Sequence, residues 1–177
     1  MTAPPDVSPT ICALKRRAAA ALGMHNGSCG IDERRTLLLR ERLVDVVPDQ
    51  LIEDRVLEPI DKIVALVLLR RAAIDTVPIY LPTLTELAAC VNVAGVETVA
   101  RALRILRCRR WLTVCQRSLR GGNRHWPAAY AIHTAPLRVR DTLYLDPGYA
   151  DYLKVLARHR HARVRRVARQ TLQQLPT

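Results

Sequence analysis

A mainly α chain with one small antiparallel β hairpin is predicted by three observations. Apolar residues recur at helical spacing in several stretches before residue 110. Trp111 to Arg117 and Ala128 to His133 then read as strands around Gly121-Gly122-Asn123, residues able to take the positive backbone angles of a hairpin tip. Finally, Thr83 to His133 runs in the order helix, tight turn, arginine-dotted helix, hairpin. That succession is the plan of a winged helix-turn-helix, here with an antiparallel β wing and a C-terminal helical extension.

Three regions are expected along the chain: a flexible N-terminal tail over 1–34, the winged domain over 35–135, and a basic helical extension over 136–177. Pro4-Pro5, Pro9, Gly27 and Gly30 make the first region read as loose, with at most a short helix at Lys15 to Leu22. From Arg35 to Leu51 the pattern fits a helix or a short strand, and Pro48 is expected to end it. Glu58-Pro59 opens a helix with proline at its first position, where the missing N–H is harmless. Ile60, Ile63, Val64, Val67 and Leu68 follow as its expected buried stripe.

Val77-Pro78-Ile79-Tyr80-Leu81 reads as a short extended link. The next helix takes Leu84 to about Val91, with Thr83 as N-cap and Glu86 completing a capping box. Asn92 to Gly95 is the turn. The following helix runs from Val96 to about Arg109, with Val99, Ala102, Leu103 and Leu106 facing the core. Beyond the hairpin, Asp146-Pro147 introduces a helix from Gly148 to about His159, and a last helix spans about Ala162 to Leu175.

Charge is divided unevenly. Residues 1–97 hold 11 basic and 13 acidic side chains, whereas residues 98–177 hold 17 basic and 3 acidic. Between Arg101 and Arg140 there are ten arginines and no acid. Such a one-sided field calls for a polyanionic partner, because unopposed charges otherwise repel one another. The five cysteines are widely spaced with no C-x-x-C pair, so they read as reduced thiols, not a zinc site or disulfide framework. The longest apolar run, Ile63 to Leu69, is far short of the roughly 20 residues of a membrane span. The expectation is a cytoplasmic, nucleoid-associated protein with no membrane partner.

On the arginine-dotted helix, Glu97, Arg101, Arg104 and Cys108 are spaced to share one face opposite the apolar stripe, with Thr98 on its edge. Early residues of a recognition helix reach base edges and later ones meet phosphates. Arg101 is therefore the expected base contact, bidentate to a guanine; Arg104 suits either task, and Arg107 suits the backbone. Thr83 and Thr85 at the start of the preceding helix, and Arg117, Arg120, Asn123 and Arg124 on the wing, complete the expected DNA-binding set. Trp111 and Trp126 are expected to pack the hairpin onto the helices.

His159 and His161 have the H-x-H spacing of metal-dependent strand-nicking initiators, with Tyr144, Tyr149 and Tyr152 as nucleophiles in that picture. The surrounding arginines argue against a metal there and for a phosphate-contacting surface. No G-x-x-x-x-G-K-[ST] loop, G-x-S-x-G elbow or H-E-x-x-H helix occurs, so neither catalysis nor a cofactor is expected.

Four stretches together carry a resemblance: VPDQLIEDRVLEPIDKIVALVLL from Val47, ETVARALRILRCRRWLTVC from Glu97, AYAIHTAPLRVRDTLYLDPGY from Ala129, and the HxHARVRRVA tail. The chain resembles the replication proteins of pathogenicity islands and integrative conjugative elements, winged-helix proteins of Gram-negative bacteria, over roughly residues 35 to 175. The resemblance implies a protein that binds double-stranded DNA in replication initiation or maintenance of an integrative element. A second copy of the chain and host or element replication proteins are further candidate partners. A transcriptional regulator of the element would need the same contacts. Three departures stand out: Gly95 replaces the usual Ser cap, the wing reads G-G-N-R-H-W-P, and Thr134-Ala135 replaces an acidic pair.

Overall fold

A computed structural model describes residues 7–25, 36–40, 47–73, 80–93, 95–119 and 125–175. Among them are eight helices and three strands, a mainly helical fold around a small mixed sheet. In chain order these are α1 (Pro9–His25), β1 (Leu37–Arg40), α2 (Asp49–Glu53), α3 (Pro59–Arg71), α4 (Leu84–Cys90), α5 (Val96–Cys108), β2 (Leu112–Leu119), β3 (His125–Ile132), α6 (Val139–Leu145), α7 (Tyr149–Leu156) and α8 (Ala162–Gln173). No described helix is long and apolar enough to cross a membrane.

The sheet has the order β1-β3-β2. β2 and β3 pair antiparallel from Leu112 opposite Ile132 to Leu119 opposite His125, with a register shift at Cys115. β1 adds to β3 in parallel, Leu37 opposite Ala129 and Arg40 opposite Ile132. A strand is thus the outcome for Leu37–Arg40, where the sequence admitted helix or strand. Tyr80 bridges Leu37 from the other side, and the Leu81 N–H donates to the Thr36 carbonyl at 2.7 Å.

Alternation along the strands divides the apolar residues between two cores. Leu38, Leu112 and Ile132 face a large cluster built from α3, α4, α5, α7 and α8. Leu37, Cys115, Ala129 and Ala131 face a smaller one closed by α1 and by Leu137 and Leu145. The loose tail expected over 1–34 is therefore corrected over its described part. α1 is a 17-residue helix whose Ile11, Leu14 and Ala18, at i, i+3 and i+7, are buried against the sheet. The prolines that suggested a loop lie before the helix or at its first position, where proline is tolerated. Lys15 Nζ donates to the Tyr144 carbonyl at 2.9 Å and lies over the Tyr144 ring, and the Ser8 N–H reaches Asp141.

Local signals behave as the residue types dictate. α3 begins at Pro59, with Glu58 and Asp61 forming a capping box. Its buried stripe is Asp61, Val64, Ala65, Leu68 and Leu69; Ile63, expected inside, is 44% exposed because it lies off that line. Pro48 is the N-cap of α2, and residues 41–46 of the segment it was expected to end lie outside the described residues. α4 carries the expected box: Thr83 Oγ1 accepts from the Glu86 N–H at 3.2 Å, and the Glu86 carboxylate accepts from the Thr83 N–H at 2.8 Å.

α4 and α5 both end in the same way. Asn92 (φ 53°) and Arg110 (φ 63°) take the left-handed conformation, while the Val93 and Trp111 N–H groups reach back to the Ala88 and Leu106 carbonyls. This is the Schellman arrangement. Asparagine suits it, whereas arginine there costs roughly 1–2 kcal/mol. Reciprocal bonds offset that cost: Arg110 Nε donates to the Leu137 carbonyl at 2.7 Å, and the Leu137 N–H donates to the Arg110 carbonyl at 3.1 Å. Trp111 packs fully buried, its Nε1–H donating to Asp54 at 3.1 Å beside the Arg109–Asp54 ion pair.

The integral place of α1 is testable. Leu14→Ala, at a site 2% exposed, is expected to destabilise the protein by about 2–5 kcal/mol in urea unfolding. A change near zero would return the segment to the status of a tail.

Candidate nucleic-acid interface

The site is built on α5, and α5 is covered on more sides than an amphipathic surface helix would be. Val99, Ala102, Ile105 and Leu106 face the core, and Ala100, Arg107 and Cys108 are buried as well. The extra cover comes from α7 and α8, whose Tyr149, Leu153, Leu156, Val164, Val167 and Ala168 belong to the same core as α3 and α5. The C-terminal helices are thus packed into the body of the fold. Cys108, placed by spacing on the exposed face, is fully buried, and burial pushes its thiol up to about 12.

What remains open on α5 is its N-terminal half. Glu97 is exposed, Thr98 and Arg101 are half-buried, and the Arg104 side chain is 32% exposed. Gly95 caps the helix through its backbone, without a side-chain bond. The hydrogen-bonded Arg104 guanidinium, 3.1 Å away, holds the Glu97 carboxyl below its usual range, and Arg160 adds to this from 3.6 Å. Arg101 donates to His161 Nε2 at 2.7 Å and lies 3.5 Å from Thr98 Oγ1. Because arginine only donates, this contact uses the His161 Nε2 lone pair and puts the ring proton on Nδ1.

Arg107 is a correction. It was expected to meet the DNA backbone, but it is 7% exposed and pairs with the buried Asp146 at 2.6 Å. Its guanidinium also lies 3.6 Å from the centre of the Tyr152 ring. Burial opposes its charge, yet Tyr152, Tyr130 and Asp146 together raise its pKa. Arg107 therefore anchors the α6–α7 turn to α5. Thr83 and Thr85 lie exposed at the start of α4, but the Thr83 hydroxyl is engaged as the N-cap. Arg117 lies on β2, with its backbone alone described; Arg120, Asn123 and Arg124 fall outside the described residues, as does the side chain of Trp126.

The structure adds a second basic wall that the chain's order did not place beside α5. Arg101, His161, Arg165, Arg166 and Arg169 line one groove of about 800 Å³ between α5 and α8, with Glu58 on its margin. α8 is oriented by Arg163, which turns inward to pair with Asp61, bonds Glu58 at 2.9 Å, and donates to the Val56 carbonyl at 3.1 Å. The basic string around His159 and His161 marked a phosphate-contacting surface, and the spacing of Arg163 with Val164, Val167 and Ala168 on one face of α8 was the signal for its inward turn.

The H-x-H pair is engaged within the protein: the His161 N–H donates to His159 Nδ1 at 3.0 Å. Burial, then Arg104 and Arg160, lower the His159 pKa, against the opposite pull of Glu97. Tyr149 donates to the Cys108 carbonyl at 2.5 Å, and burial raises the pKa of both Tyr149 and Tyr152. Among the described residues no group of three or more His, Cys, Asp or Glu side chains is arranged to hold a metal ion. No family model, curated protein or solved structure matches the chain.

Two outcomes follow. Arg107→Ala leaves the Asp146 carboxylate buried without its cation and is expected to lower unfolding stability by about 3–5 kcal/mol. For His159, the unfolded chain takes up a proton below its ordinary pKa of 6.5, whereas the folded chain does so only at a lower pH. The contribution to stability is present above that ordinary value and is lost as pH falls toward the folded one. His159→Gln should therefore flatten the decline in urea midpoint between about pH 7 and pH 5.5, and an unchanged decline would refute the assignment.

Proposed function

We propose that this protein is a non-enzymatic, double-stranded DNA-binding protein of the winged helix-turn-helix class, acting in replication initiation or maintenance of an integrative mobile element. The observation that carries the DNA-binding part is the open N-terminal half of α5, where Arg101 and Arg104 lie between the α4 turn and the basic start of α8. α4, the turn, α5 and the β2–β3 hairpin follow in the order that a recognition helix and its wing require. Arg101 is the base-reading candidate, Arg104 serves bases or phosphates, and the wing arginines are assigned by their place in the sequence to the adjacent phosphates.

Glu97 fits this reading as a residue of the first turn, where a carboxylate complements the helix N-terminus and can accept from a cytosine amino group. The replication role rests on the resemblance of the Val47, Glu97 and Ala129 stretches to the island and conjugative-element proteins. A transcriptional regulator uses the same α5 face. Deleting the gene separates the two, by loss of element copy number in one case and altered promoter output in the other.

A footprint of the purified protein across its own element should reveal a protected site. Arg101→Ala is expected to reduce preference for that site by about 1–3 kcal/mol relative to unrelated duplex. Equal binding of all duplexes by the wild-type protein, or no effect of the substitution on preference, would overturn the assignment of α5.

A further inference from the structure

We infer that the groove between α5 and α8 is a phosphate-binding channel that holds the sugar–phosphate backbone of DNA flanking the sequence read by α5. The inference rests on the DNA-binding reading and adds to it a second contact surface. Five arginines and one glutamate line the groove. The glutamate, Glu58, is paired with Arg163, and Arg163 is further occupied by the buried Asp61. Among the described residues the other four guanidinium charges have no carboxylate partner.

Those four arginines are held in different ways. Arg101 forms the wall shared with α5, donating to His161. Arg165 donates to the His159 and Arg160 carbonyls, and Arg169 to the Ala157 carbonyl. Carbonyl contacts orient a guanidinium without neutralising it, so each retains its full charge and further N–H groups. Arg166 is exposed, with no hydrogen bond or ion pair among the described residues.

Arg166 and Arg169 are three residues apart on α8 and lie along one edge, with Gln170 and Gln173 beside them. A row of cations interleaved with neutral amide donors suits a chain of phosphates and sugars better than a single small anion. Arginine's planar fork adds bidentate recognition of each phosphate. The shared Arg101 wall makes the groove continuous with the open half of α5, so one duplex can occupy both.

The test compares the full chain with an Arg166→Ala/Arg169→Ala variant and a charge-matched control, Arg138→Ala/Lys154→Ala. The control removes two exposed cations, outside the groove, that are already paired with Asp141 and Asp151. Thermal melting confirms that all three are folded. Binding to an unrelated duplex is measured by fluorescence anisotropy from about 50 to 200 mM salt, where each phosphate contact contributes about 0.9 to the slope of log K against log salt. The groove variant should lose about 2 from the magnitude of that slope, and the control should lose little.

An unchanged slope in the groove variant, with the wild-type protein still binding, overturns the channel and leaves the α5 assignment standing. Equal losses in variant and control reduce the effect to net charge and also overturn it. Failure of the wild-type chain to bind any duplex at low salt removes both readings. Inorganic pyrophosphate and a polyglutamate peptide serve as competing probes. If the groove variant loses binding to either probe while keeping its duplex slope, the groove belongs to a free phosphorylated ligand or an acidic protein instead.

Discussion

Arg163 leaves the row of outward-facing arginines on α8 and enters the protein at the start of α3. There its guanidinium meets Asp61 and Glu58 and donates to the Val56 carbonyl, so its charge and most of its donors are satisfied at once. A buried ion pair gains little stability over apolar packing, but breaking one partner away is strongly unfavourable, so it fixes how two elements meet. Here it fixes α8 across the N-terminus of α3. Val164, Val167 and Ala168 then fall onto the core shared with α5. The position of every other arginine on α8, and hence the existence of a groove beside α5, depends on that one inward turn.

The parts of the fold governed by neighbours in sequence were readable. Pro59 at the head of α3, the Thr83–Glu86 box of α4 and the apolar spacing of α5 each involve residues within one or two turns of each other. The parts governed by distant partners were not. α1 looks like a tail until the sheet that buries Ile11 and Leu14 is present. Arg107 looks like a surface charge among many, and its partner Asp146 lies 39 residues away; the corresponding separation for Arg163 and Asp61 is 102. A basic string is legible as an electrostatic field, but which of its members are internal anchors is decided by acids elsewhere in the chain.

That distinction alters the picture of the candidate site. Of the arginines on α5 and its C-cap, Arg107 and Arg109 are engaged with Asp146 and Asp54, which leaves Arg101 and Arg104 on the open half. The surface is shorter on α5 than helical spacing alone suggested and wider across the fold, since α8 supplies its second wall. Arg101 joins the two: it belongs to α5 by sequence and to the groove by its contact with His161. The two histidines of the H-x-H pair accordingly serve as acceptors that organise neighbouring guanidinium and backbone donors.

The left-handed Arg110 has a different consequence. Its carbonyl and its Nε are both tied to Leu137, the former as acceptor and the latter as donor, so the joint between α5 and β2 is clasped from a segment beyond the hairpin. A glycine would take the same backbone angle more readily but would lose the side-chain half of the clasp. The arrangement makes the joint a fixed bracket and not a pivot. The first residues of β2 therefore leave the helix on a set bearing, and the angle between α5 and the strand is fixed by a contact made 27 residues further along the chain.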